Sequence, residues 1–173
     1  ADDNVAVGAL ALSGDTLGSQ SVAVGRGALK VQNFTTATNT FNVAVGYSAG
    51  ESVTTGVRNT ILGGLSGSAI TTGYENVCLG YAAGDAIVSG NNNVIVGISV
   101  DPSSESVTNG IALGSGFTVN SNDFSFGKAA NVVTNDFNTD NAWSRSSDVR
   151  LKKNITNQTL GLDFINALRT VKY

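Results

Sequence analysis

A hydroxyl and an amine stand five residues apart in Ser147-Asp-Val-Arg-Leu-Lys152, and together they could form a nucleophile and its base. A lysine accepts a serine proton only in its neutral form, which needs burial or nearby positive charge to lower its pKa. Arg150 and Lys153 supply such charge. On spacing alone, a basic surface loop fits these residues better than a dyad. Other reactive groups are few. The chain has no histidine and one cysteine, Cys78, which removes the commonest zinc ligands, the usual general base and any internal disulfide. No metal and no cofactor is expected. Cys78 stands where other repeats carry Ala44, Ile61 and Ile95, and reads as a small buried hydrophobe. Glycoside hydrolysis would need two carboxyls at a defined separation. Asp15, Glu51, Glu75, Asp85, Asp101 and Glu105 form no recurrent pair, and Asp85 and Asp101 lie in neighbouring repeats at different offsets. No substrate-directed activity is expected.

The scaffold that must hold these groups is a repeat. The phrase Asn-Val-x-Val-Gly recurs with its glycine at Gly8, Gly25, Gly46, Gly63, Gly80, Gly97, Gly114 and Gly127, at spacings of 17, 21, 17, 17, 17, 17 and 13. The 21 reads as a four-residue insertion within Lys30–Thr40, and the 13 as a shortened last coil. A fixed period means stacked, self-similar units rather than an ordinary globular core. Each repeat also has a second half, such as Val53-Thr-Thr-Gly56 and Ile70-Thr-Thr-Gly73. Two short strands and two turns per repeat predict an all-β parallel solenoid, a β-roll or β-helix of about eight coils. Asn42, Asn59, Asn76 and Asn93, four residues before their glycines, predict a side-chain ladder or Asx turns at a corner.

Facing follows from strand geometry. Positions three and one before the glycine, for example Val43 and Val45, share a face and are expected to form the core. The position between them holds Ala6, Ala23, Ala44, Ile61, Cys78, Ile95, Ala112 and Ser125. It should then point outward, and its apolar character calls for a second covering surface, most simply another copy of the chain.

Composition agrees. Of 173 residues 21 are glycine, one is proline and none is methionine, and only 13% are charged, about half the usual share. A net charge of −3 argues against general affinity for nucleic acid or anionic lipid. No apolar run is long enough for membrane insertion. The chain begins at Ala1 without methionine or a signal peptide, which reads as a fragment or processed product. Residues 131–146 open with Asn131-Val-Val-Thr-Asn-Asp-Phe-Asn-Thr-Asp-Asn141, polar and free of glycine, and read as a neck. Leu160, Phe164, Ile165 and Leu168 recur at helical steps, predicting a short α-helical C-terminal segment.

Two resemblances add to this. Asn42-Val-Ala-Val-Gly-Tyr-Ser-Ala-Gly50 and Ser21-Val-Ala-Val-Gly-Arg-Gly-Ala28 look like the head repeats of trimeric autotransporter adhesins, also found in phage and virus fibres. Over residues 1–130 that likeness implies a left-handed parallel β-roll homotrimer. Ser146-Ser-Asp-Val-Arg-Leu-Lys-Lys-Asn-Ile155, with Leu160-Gly-Leu-Asp-Phe-Ile-Asn-Ala-Leu-Arg169 and Val171-Lys-Tyr173, resembles the start of the endosialidase-type intramolecular chaperone of phage tail spikes and fibres. For residues 147–173 it implies a trimerising, self-cleaving domain with Ser147 and Lys152 as its dyad and Asp148 at the scissile site. The family's domain extends beyond the length present here. Together they imply a structural, receptor-binding tail fibre of a virion, extracellular, partnered by other fibre proteins and by a host-surface glycan or protein. A bacterial surface adhesin and a non-catalytic part of a polysaccharide-degrading tailspike are the alternatives. Exposed contacts are expected in loops holding Tyr47, Tyr74 and Tyr81 and in the insertion with Phe34.

Overall fold

The structure, a computed structural model, describes residues 2–139 and 144–145. Fourteen strands follow one another: β1 (Val5–Val7), β2 (Gly18–Ser19), β3 (Val22–Val24), β4 (Thr38–Asn39), β5 (Val43–Val45), β6 (Thr60–Leu62), β7 (Val77–Leu79), β8 (Val94–Ile98), β9 (Asp101–Pro102), β10 (Ile111–Ser115), β11 (Thr118–Val119), β12 (Asp123–Lys128), β13 (Asn131–Asp136) and β14 (Ser144–Arg145). The Asn-Val-x-Val-Gly phrases form the main sheet, in the order β1-β3-β5-β6-β7-β8-β10-β12-β13-β14. Its first eight strands are parallel and pair equivalent residues, as in Ala44↔Ile61 and Ile61↔Cys78. This is a parallel β-solenoid of about seven turns. Seven steps of one strand spacing give an axial length of roughly 34 Å.

The second half of each coil differs from the expected second strand. It pairs as strand only in β2 with β4 and β9 with β11. In the middle coils it is a chain of turns joined along the axis by backbone bonds such as Thr54 N–H to Thr71 O at 2.9 Å and Thr71 N–H to Val88 O at 2.9 Å. The stretch expected to be a neck begins with β13, which folds back antiparallel on β12 and pairs Phe126 with Val133. That reversal ends the parallel stack. The predicted C-terminal helix lies outside the described residues.

The expected facing is inverted. Ala23, Ala44, Ile61, Cys78, Ile95 and Ala112 are fully buried in the lumen of the solenoid, against Ala28, Ala49, Val53, Ile70, Ala83, Ile87 and Val100. Their neighbours one and three residues before the glycine point outward, with Val7 57%, Leu62 39% and Leu113 39% exposed. The reason is the three-residue strand: only its middle side chain points inward, and a narrow lumen takes alanine, cysteine or one isoleucine there. All three positions are apolar, so alternation carried no sign.

The glycine column is a steric requirement. Gly63 has φ +133, and a Cβ on it would lie 2.3 Å from the carbonyl oxygen of Gly80; the same close approach repeats from Gly25 to Gly114. Gly63→Ala is therefore expected to cost at least about 3 kcal/mol, through strain and a backbone clash together. Gly116→Ala, at φ +67 but with nothing within 4 Å of the added Cβ, should cost only about 1 kcal/mol. Urea unfolding of the two variants beside the wild type measures the difference, and equal losses would remove the stacking explanation.

Candidate functional site

The ladder is the most ordered polar feature among the described residues. Each coil turns into its strand through a residue held in the left-handed region, such as Arg58 (φ 57), Glu75 (φ 58) and Asn92 (φ 57). That turn carries the following asparagine side chain inside, where Asn42, Asn59, Asn76 and Asn93 are fully buried. Each side chain serves two neighbours. Asn59 Nδ2 donates to Gly73 O at 2.9 Å, and Asn59 Oδ1 accepts from Asn76 N–H at 3.1 Å and Asn76 Nδ2 at 3.2 Å. Asn93 continues the pattern, with Nδ2 to Val107 O at 2.7 Å and Oδ1 accepting Gly110 N–H at 2.8 Å. No buried side-chain polar atom among the described residues lacks a partner. Fully buried, these four asparagines have no face open to a ligand.

Between Asn4 and Asn93 the ladder breaks once and is repaired. Ser21 stands where asparagine would, and the fully buried Gln32 replaces the missing amide. Gln32 Oε1 accepts from Asn42 Nδ2 at 2.8 Å, while Gln32 Nε2 donates to Ser21 Oγ at 2.9 Å and Asp15 Oδ2 at 3.0 Å. Gln32 stands seven residues after Gly25, as Val53, Ile70 and Ile87 stand after their glycines, so the added residues follow it, and most of them are exposed. Phe34, named as a possible contact, is 8% exposed and packs inside. Tyr47 and Tyr81 are 55% and 58% exposed, and Tyr74 is 39% exposed. The Arg26 guanidinium lies 5.7 Å from the Tyr47 ring centroid and donates to its hydroxyl at 3.3 Å.

The acidic residues hold one surprise. Stacking brings Asp85 and Asp101 together although their offsets differ, because Gly84 N–H bonds Val100 O at 2.9 Å and sets the two coils side by side there. Their carboxyls hydrogen-bond to one another, and Asp101 Oδ1 accepts Ala86 N–H at 3.2 Å. Burial, then the charge of Asp85, pushes the Asp101 carboxyl up to about 6. Direct contact leaves no room for a glycosidic bond between the two carboxyls. Burial likewise pushes the Cys78 thiol up to about 12, so it packs and does not react. Among the described residues no group of three or more His, Cys, Asp or Glu could hold a metal ion, and no helix is long and apolar enough to cross a membrane. Ser147, Asp148 and Lys152 lie outside the described residues. Comparison of the chain with family models, curated proteins and solved structures gives no match.

Asn59→Ala removes the acceptor of Asn76 N–H and the donor to Gly73 O, both buried. About 3 kcal/mol of stability should be lost. Asn59→Asp should not rescue it, since a carboxylate cannot donate to Gly73 O; chemical denaturation of both variants tests this. Asp101 gives a pH signature. Its folded pKa, about 6, lies above the ordinary value near 4, so the folded chain holds the extra proton between them. Its stabilising contribution is full below about pH 4 and is lost as pH rises through about 6. Because the site is half open to water, the loss should be about 1 kcal/mol after screening. Asp101→Asn, which still accepts from Ala86, should flatten the profile of melting temperature against pH between 4 and 7. An unchanged slope would show that the pair does not titrate in this range.

Proposed function

We propose that the chain is a segment of a structural, receptor-binding fibre: three parallel β-rolls packed around one axis in a phage or virus tail fibre. One observation carries this reading. The outer face of the main sheet carries two columns along the parallel strands, Val22, Val43, Thr60, Val77, Val94 and Ile111 beside Val24, Val45, Leu62, Leu79, Val96 and Leu113, apolar at every position but Thr60. Most of these side chains are half-exposed, and Leu62 and Leu113 are 39% exposed; a contiguous apolar patch of this kind marks an interaction surface. Packing of the same face from identical chains would remove it from water. The interchain surface is thus the Val/Leu face and not the alanine column.

Folding gives the C-terminal segment its role. Parallel coils from three chains must come into register before non-local contacts offset the entropy of alignment. A trimerising template at the chain's end supplies that register, and its removal leaves an assembled rod that unfolds only slowly. The likeness of Ser146–Ile155 to the self-cleaving chaperone supports such a template, with Ser147 attacking, Lys152 as base and Asp148 at the scissile site. Host attachment would fall to side chains on the rod's free faces, at the surface of a virion, towards a host glycan or protein.

Sedimentation and denaturing intact mass on the full-length gene product test this together. The wild type should sediment as a trimer. Leu62→Lys, on the outer face, should reduce the trimer at least about tenfold at fixed concentration, whereas Thr72→Lys, exposed on a turn, should not. Ser147→Ala should stay whole where the wild type loses its C-terminal part. A monomeric wild type, or cleavage that persists without Ser147, would overturn the corresponding half of the proposal.

A further inference from the structure

The corner that leads into each strand carries a feature that neither the core nor the outer sheet face uses. Its left-handed position is filled in later coils by Asn92, Asn109 and Asn122, the residue type that tolerates this conformation best. In one coil it is filled by Phe41, at φ 52 and 52% exposed. A bulky aromatic residue held in the left-handed region is a genuine outlier. The left-handed turn itself is common to this corner, in Gln20, Arg58, Glu75 and Asn122 alike, so what marks the Phe41 coil is the aromatic ring left open to water.

Its neighbours along the axis complete a surface. One coil on, Arg58 Nε bonds Glu75 Oε1 at 2.7 Å, with both side chains largely open to water. Tyr74 follows, 39% exposed, two coils from Phe41, or roughly 10 Å at one strand spacing per coil. Asn92 Nδ2 then donates to Asn91 Oδ1 at 2.9 Å in an exposed pair. The ridge therefore alternates aromatic rings with groups that both donate and accept hydrogen bonds. Its charges cancel.

Resting on the attachment reading above, we propose that this ridge, Phe41–Arg58–Tyr74–Glu75–Asn91–Asn92, binds an extended cell-surface polysaccharide. The rings stack on the C–H faces of sugars about a disaccharide apart. The ion pair and the two amides take the hydroxyls between and beyond them. A protein partner would call for a contiguous apolar centre ringed by polar groups, whereas here an ion pair separates the two rings. The neutral balance favours a polymer recognised by hydroxyls over one recognised by phosphate or carboxylate.

The test is an array of bacterial O-chain, capsular and teichoic polysaccharides, read with the purified full chain, together with melting curves and adsorption to cells. Wild type should hold at least one neutral polymer. Phe41→Asn and Tyr74→Ala should each weaken that binding by about tenfold or more. Phe41→Asn should also raise the melting temperature, because it relieves strain at a position where asparagine is the better fit. A purely structural Phe41 would lower it. Unchanged polysaccharide binding in both variants overturns the ridge and leaves the fibre reading intact. Protease-sensitive adsorption to cells, with no polymer held, overturns the choice of a glycan. Failure to adsorb at all overturns the attachment reading with it.

Discussion

Everything in this chain depends on stacking at a single strand spacing. Each coil must place its backbone directly over the next, and two columns of residues permit it. The glycines from Gly25 to Gly114 approach so closely that a Cβ on any of them would meet a carbonyl of the following coil. The asparagines from Asn42 to Asn93 hand hydrogen bonds along the axis inside the wall. The glycine column is steric and tolerates nothing else. The asparagine column is polar and admits a substitute, as Gln32 shows beside Ser21.

Stability in such an object is spread along its length. A coil contacts its neighbours and little else, so nearest-neighbour terms dominate. Within a coil the lumen is filled by a few aliphatic side chains, and burial of each contributes about 1.5–3 kcal/mol. Larger and smaller residues alternate across it: Ala44 meets Leu29 and Val53, while Ile61 reaches towards Gly50 and Gly67. The narrow core explains why so little of the chain is aromatic or charged, and why the single cysteine can sit inside without reactive consequence. It also means that one chain alone leaves its outer Val/Leu columns partly open to water. The outer Val/Leu columns are the part of the design that a single coil cannot satisfy.

Among the described residues every buried side-chain polar atom is engaged, which leaves contacts with other molecules to the outer surface. Stacking sets Asp101 against Asp85 and so makes Asp101 responsive to pH. The corner with Phe41 adds an aromatic ring left open to water.

The period, the parallel solenoid and the corner asparagines were legible in the sequence, because a one-dimensional stack writes the same requirement into each coil at a fixed interval. The glycine column was legible for the same reason. What only the tertiary structure decided was direction. Val43, Ala44 and Val45 are all apolar, so hydropathy could not say which of them faces the lumen; the width of the lumen did. The structure also decided that Gln32 fills the gap left by Ser21, that Asp85 meets Asp101 despite unequal offsets, and that β13 turns back to close the stack. Each of these depends on how neighbouring coils are set against one another. A repeat count records how often a coil occurs, but the side-by-side position of its less regular half is fixed only when the chain has closed around its core.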